Sequence, residues 1–324
     1  MDQNRFKQVK SKRGFTYSYY FSAPREGKPT VFFSHGFPTP AYLWREQITA
    51  LEPLGYGIIA PDLLGYGGTD KPTEPKFYIG SGLAQDAIDI LDNEKIGRVI
   101  TVSHDWGSRV VSRMANYYPD RLVACAFFGV GYGPPTSEYA DPITQSAQIK
   151  QMVGYDLLAY MGYFIQSEAP AFIEKNFDSF LSLLFPQLPE TWKNHMCTPG
   201  GAKAWIESNN TEPAPDKEYY RTALLSGGMT APLCWYKVLV EKCNHEDDAK
   251  ISPEARILHK PILFVAFKED PIGLPIFGDM THNNKELVKG TVTRKEVDGD
   301  HWAVVSHAAE LNGMLQQWIQ GLNI

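Results

Sequence analysis

Between residues 30 and 130 the chain repeats one unit: a short run of Val, Ile, Phe and Leu, then a longer amphipathic segment. The runs at 30–34, 57–61, 98–103 and 122–130 are strand-sized and apolar throughout, as strands buried on both faces must be. Between them, 41–54, 81–91 and 106–118 read as helices, the last ended by Pro119. Strands joined by crossover helices form a parallel sheet, so the expected class is α/β. After Val130 the repeat stops at the breaker cluster Gly131-Tyr132-Gly133-Pro134-Pro135. The next hundred or so residues carry helical periodicity, many aromatics and no convincing strand. The strand-helix pattern resumes at 261–267, continues at 292–297 and closes with a helix over 302–322. The expected organisation is therefore a core of residues 1–134 and 249–324 interrupted by a helical cap over 135–248. No internal repeat or low-complexity tract competes with it.

Composition narrows the function. A formal net charge of -6 with Lys and Arg scattered excludes a nucleic-acid backbone as partner. Cys125, Cys197, Cys234 and Cys243 are widely spaced and read as free thiols. Cys243-Asn244-His245 has no matching half for a zinc site, and no two-His-plus-carboxylate cluster at helical spacing occurs, so no metal is expected. The glycine-rich segments at 65–68 and 129–133 fit neither G-x-G-x-x-G nor a Walker loop, so no nucleotide cofactor is expected. The apolar runs fall far short of the roughly 18 to 20 residues that span a bilayer, and no apolar run follows the basic N-terminus. A cytoplasmic protein without membrane insertion is the expectation.

The third strand run ends in Val102-Ser103-His104-Asp105-Trp106-Gly107-Ser108. A strand-to-helix turn that lifts one side chain clear of the backbone needs small residues two positions before and after it, and Ser103 and Gly107 supply them around Asp105. The plainer reading is that Asp105 caps the helix that follows. At the end of the first run stands His35-Gly36-Phe37-Pro38, where the proline allows a cis bond.

With these motifs the chain resembles α/β-hydrolases of the epoxide hydrolase and haloalkane dehalogenase group. HGFP, the segment APDLLGYGGTDKP at 60–72, and SHDWGS match that group in order and spacing. The resemblance implies an α/β-hydrolase fold with a mostly parallel central sheet and an inserted helical cap. It implies an oxyanion hole built from the backbone N–H groups of Phe37 and Trp106. It also implies an acid after a late strand and a histidine near the C-terminus, matched here by Asp270 and by His301. Glu269 is the competing acid. His307 reads as helix surface, and His35 and His104 as satisfied packing residues.

An aspartate at the apex points to displacement at saturated carbon, giving an alkyl ester that His301, held by Asp270, would hydrolyse with water. An epoxide leaves as an alkoxide and needs a proton, whereas a halide needs only weak N–H donors. In epoxide hydrolases two cap tyrosines meet the ring oxygen. The segments MGYFIQ and APLCWYK resemble those sites and nominate Tyr163 and Tyr236. Tyr155 and Tyr160 crowd the first site and remain rivals to Tyr163, which is followed by Phe164 where the mammalian-type pattern has glutamine. The expected substrates are a small hydrophobic epoxide and water. The alternatives are a haloalkane or haloacid dehalogenase with the same nucleophile, and a non-catalytic binder of hydrophobic ligands.

Overall fold

The computed structural model describes residues 1–136, 142–188 and 190–322. Its strands are β1 (Phe6–Lys10), β2 (Thr16–Ser22), β3 (Thr30–Ser34), β4 (Gly57–Pro61), β5 (Val99–His104), β6 (Leu122–Phe128), β7 (Ile262–Phe267) and β8 (Val292–Val297). They form one eight-stranded sheet in the order β1-β2-β4-β3-β5-β6-β7-β8. Every pairing from β4 to β8 is parallel. Every residue of β3, β4, β5 and β7 is buried, which is why these strands read as unbroken apolar runs. Strand β6 stops two residues before its expected end because Gly129 turns into the left-handed region at φ 72°.

Strands β1 and β2 pair antiparallel and were not anticipated. β1 is an edge strand with only Phe6 and Val9 half-buried, and β2 (TYSYYFS) interleaves hydroxyls with aromatics, so neither has the all-apolar signature.

The core helices of the first half are α1 (Arg45–Leu51), α2 (Gly80–Asn93) and α3 (Trp106–Tyr117). Between β6 and β7 lie α4 (Pro142–Val153), α5 (Met161–Phe164), α6 (Ala169–Lys175), α7 (Phe177–Leu184), α8 (Gly201–Glu207), α9 (Lys217–Leu225), α10 (Thr230–Val240) and α11 (Cys243–Asp248). This is the inserted helical region. The chain then adds α12 (Pro275–Asn283), α13 (Ala303–Ser306) and α14 (Ala308–Gln320), the last two dividing the single expected C-terminal helix at His307. Helices α2 and α3 pack together, and α1 packs on α14. Among the described residues no single helix is long and apolar enough to cross a membrane.

From β3 the chain moves to one side to form β4, then to the other to form β5. That reversal opens a crevice beyond the carboxyl ends of β3 and β5, where open α/β sheets bind their ligands. The loops after β3, β5, β7 and β8 all leave from this edge.

One buried ion pair fastens the cap to the core. Arg113 of α3 donates from Nε to Asp248 Oδ1 at 2.7 Å and from Nη2 to Oδ2 at 2.5 Å. Its Nη1 donates to the Gly133 carbonyl at 2.8 Å, and the Thr136 N–H donates to Asp248 Oδ2 at 3.3 Å. Both connections to the cap thus meet on one guanidinium. Replacing Asp248 with Ala is expected to lower stability by about 3–5 kcal/mol, the range for a buried charge left without its partner. Denaturant unfolding measures it; a loss below about 1 kcal/mol, the scale of an exposed pair, would mean that water reaches Arg113.

Candidate active site

The turn after β5 holds Asp105 at φ 52° and ψ -127°, a region that non-glycine residues enter only when their surroundings impose it. The surroundings here are tight. A Cβ on Gly107 would lie 2.0 Å from the Ser34 carbonyl oxygen, and one on Gly36 would lie 2.2 Å from Asp105 Oδ1. Only glycine lets these backbones approach so closely. Asp105 is not a side-chain cap of α3.

The loop after β3 carries a cis Phe37–Pro38 bond and turns the Phe37 N–H onto Asp105 Oδ1 at 2.8 Å. The neighbouring Trp106 N–H also favours the ionised carboxylate. With Oδ1 held by the loop donor, Oδ2 faces His301 Nε2 at 3.8 Å, and the side chain remains 14% exposed. Burial pushes the Asp105 pKa up; His301 and the two N–H donors pull it down, Asp270 adds to the rise, and the result stays above the ordinary carboxylate value.

Asp270, at the end of β7, meets His301 Nδ1 through Oδ2 at 2.6 Å. Its Oδ1 accepts the N–H groups of Ile272 at 2.9 Å and Gly273 at 2.8 Å. Burial works to raise its pKa, but His301 and these donors outweigh it and hold the carboxyl below its usual range. Burial likewise pulls His301 down, and Asp270, with Asp105 and Asp300 behind it, more than compensates, leaving the imidazole above its usual value. The Nδ1 proton is committed to Asp270, so Nε2 is the free basic nitrogen. Glu269 is exposed, whereas Asp270 is buried.

His104 Nε2 bonds the His301 carbonyl at 2.9 Å and His35 bonds the Gly36 carbonyl and the Leu63 N–H, both at 2.9 Å. Burial lowers both, His35 to about 3. They are neutral packing residues.

The cap brings Tyr236 of α10 over the nucleophile. Its ring stands edge-on to Trp106 at 5.2 Å and 89°, and the neighbouring Trp106 side chain offsets part of the rise that burial gives its hydroxyl pKa. Its partner is Tyr160, with ring centroids 5.8 Å apart at 85°, so that the two hydroxyls act on each other electrostatically. Burial raises both tyrosines well above the usual phenol value, and the charge of Asp105 acts on both in the same sense.

Tyr163, the residue nominated from the sequence, does not join this pair. Its ring lies between Phe164 and Phe172, its hydroxyl has no partner among the described residues, and the carboxylates that act on it are Glu168 and Glu207. A step of three residues in a helix rises about 4.5 Å and falls about 60° short of a full turn. That offset carries Tyr163 off the line on which Tyr160 reaches Asp105.

A cavity of about 630 Å³ lies between α4, α5 and α10, walled by Leu158, Met161, Ile165, Leu239 and Val240 and reaching Tyr236. Polar side chains, among them Gln145, Lys150 and Asp156, complete its lining. Sequence reasoning also missed Trp192, whose ring lies 5.0 Å from that of His301. No motif marks it. Among the described residues no three His, Cys, Asp or Glu side chains converge as a metal-binding group.

A buried Asp-His-Asp arrangement with two N–H donors and two facing hydroxyls can form and hydrolyse an ester on a carboxylate. Comparisons with known proteins point the same way. The family model of the alpha/beta hydrolase fold matches residues 29–308. The chain is similar to epoxide hydrolase A of Mycobacterium tuberculosis, 28% identical over 93% of this chain and 94% of that protein. It is 30% identical to epoxide hydrolase 2 of Siraitia grosvenorii over 63% of this chain and 69% of that one. Mammalian bifunctional epoxide hydrolases also match, and the chain spans about half their length. The crystal structure of epoxide hydrolase A from Mycobacterium thermoresistibile superposes with a TM-score of 0.80 at 27% identity, covering 98% of this chain and 99% of that one. On fold, site and relatives together, the chain belongs to the epoxide hydrolase family of the α/β-hydrolase superfamily.

Proposed function

We propose that this enzyme opens a small hydrophobic epoxide to a vicinal diol through a covalent ester on Asp105. The observation that carries the reading is the hydroxyl pair of Tyr160 and Tyr236 facing the nucleophile. Asp105 Oδ2, the oxygen turned toward His301, attacks a ring carbon. The carbon–oxygen bond of the ring breaks, and the departing oxygen takes a proton from a tyrosine. His301 Nε2 then removes a proton from water, and the hydroxide adds to the Asp105 carboxyl carbon. Negative charge collects on Oδ1, between the Phe37 and Trp106 N–H groups. The intermediate collapses as the diol oxygen leaves with the proton from His301, and the proton left on Asp105 restores the tyrosine.

In this reading residues 135–248 act as the cap on a catalytic core of 1–134 and 249–324. The setting we propose is cytoplasmic, because Cys125, Cys197, Cys234 and Cys243 are all free thiols, which suits a reducing compartment.

The rival leaving group is halide. A halide site at Trp106 needs the indole N–H, and here that side chain is packed edge-on against Tyr236. Assaying epoxides and haloalkanes in parallel should show diol formation without halide release above background. Halide release without diol would reverse the assignment.

A further inference from the structure

Trp192 opens a π-helical turn, Trp192–Met196, closed by the Cys197 N–H donating to the Trp192 carbonyl at 2.9 Å. Such turns are rare and concentrate at functional sites. Its indole N–H donates to the Leu183 carbonyl at 2.7 Å, at the end of α7. The next carbonyl, Leu184, accepts the indole N–H of Trp302 at 2.6 Å. Two successive carbonyls of one cap helix therefore seat the two indoles that bracket His301. Trp302 meets the imidazole edge-on at 5.1 Å and 88°, and Trp192 lies across it at 5.0 Å and 44°. The other groups around the ring are Asp270 at Nδ1, Asp105 at Nε2, His104 at 4.5 Å between centroids, and Asp300. Those four and Trp302 belong to the strand ends and loops at the sheet edge; Trp192 belongs to the inserted helical region.

We propose that Trp192 is a positioning residue for ester hydrolysis, fixing the plane of the His301 imidazole and favouring the imidazolium that forms when water loses its proton. An aromatic face within about 6 Å of a cation attracts it, more strongly when both are desolvated, and Trp192 is buried. Because the indole is seated on α7, the base is fully held only while the cap sits on the core. The inference rests on the covalent-ester reading above.

Rapid-quench mass spectrometry separates the two half-reactions in the intact protein, by following the appearance and decay of the adduct on Asp105. In Trp192→Leu the adduct should form at the parent rate and decay about 3- to 30-fold more slowly, the range of a desolvated cation–π contact. With the imidazolium less favoured, the acid limb of the decay rate should move to lower pH. Trp192→Phe, which keeps a ring but not the N–H anchor, should recover most of the rate. A second readout is independent of turnover: protonated imidazole quenches an adjacent indole, so the fluorescence lost in Trp192→Phe should titrate with His301 and stop titrating in His301→Gln. Adduct formation and decay slowing together, or a decay rate and acid limb unchanged in Trp192→Leu, would overturn the inference. No adduct in the parent protein would overturn the covalent reading itself, while the fluorescence titration still reports the ring contact.

Discussion

Replacing His301 with Gln is expected to stop turnover with the protein locked as an ester on Asp105. The two halves of the proposed reaction draw on different groups. Alkylation needs the Asp105 carboxylate and the two cap hydroxyls, all of which remain. Hydrolysis needs a base beside the ester, and in this site that base is His301 Nε2, 3.8 Å from Asp105 Oδ2. Losing a general base slows a step by about 10²–10⁴-fold, so the adduct should accumulate to nearly one per chain. Intact mass should rise by one epoxide, and peptide mapping should place it on Asp105. The charge of His301 also helps to keep Asp105 ionised against burial. Without it the Asp105 pKa rises further, so the fraction ionised at a given pH falls, and adduct yield in the variant should increase with pH. Failure to form an adduct with any of a broad set of epoxides at alkaline pH would remove the covalent mechanism.

What could be read beforehand, and what could not, divides along a physical line. Strands β3 and β4 fall on the residues expected because burial on both faces leaves one composition open to them. Asp105 was legible because its turn tolerates almost nothing at Gly107, where any side chain would strike the Ser34 carbonyl. The pairing of Asp270 rather than Glu269 with His301 is a matter of which side chain the end of β7 turns inward, and the structure decides it. The cap was less legible. Tyr155, Tyr160 and Tyr163 share one segment, and the face it shows the core depends on how the short helix α5 rolls against α6 and α10. That roll is a product of tertiary packing, so composition left three candidates, and we propose Tyr160 in place of the Tyr163 that the motif favours. Trp192 was invisible for a related reason. A π-turn departs from the 3.6-residue repeat, so helical periodicity does not mark the residues that it carries.

The proposed tyrosine pair can be tested against the residue that the motif favours. Tyr160→Phe and Tyr236→Phe should each lower epoxide turnover by about 10- to 100-fold, and the double variant by at least about 10³-fold. The unequal steps follow from the facing pair of hydroxyls. Either hydroxyl can still supply a proton when its partner is lost, but with both gone the ring oxygen leaves as an unprotonated alkoxide in a water-poor site. Tyr236 carries the added contact from Trp106, which supports its oxygen when its proton is given up, so the Tyr236 variant should lose more than the Tyr160 variant. Tyr163→Phe serves as the control one turn away. Its hydroxyl is buried without a partner among the described residues, so removing it discards an unsatisfied polar group and should leave stability equal or slightly higher. Its turnover should stay within about twofold of the parent, since groups that do not touch the reacting atoms carry none of the acid term. Initial diol formation at saturating epoxide, with thermal melts confirming the fold, measures all four variants. A crippled Tyr163→Phe beside an active Tyr160→Phe would return the acid to Tyr163.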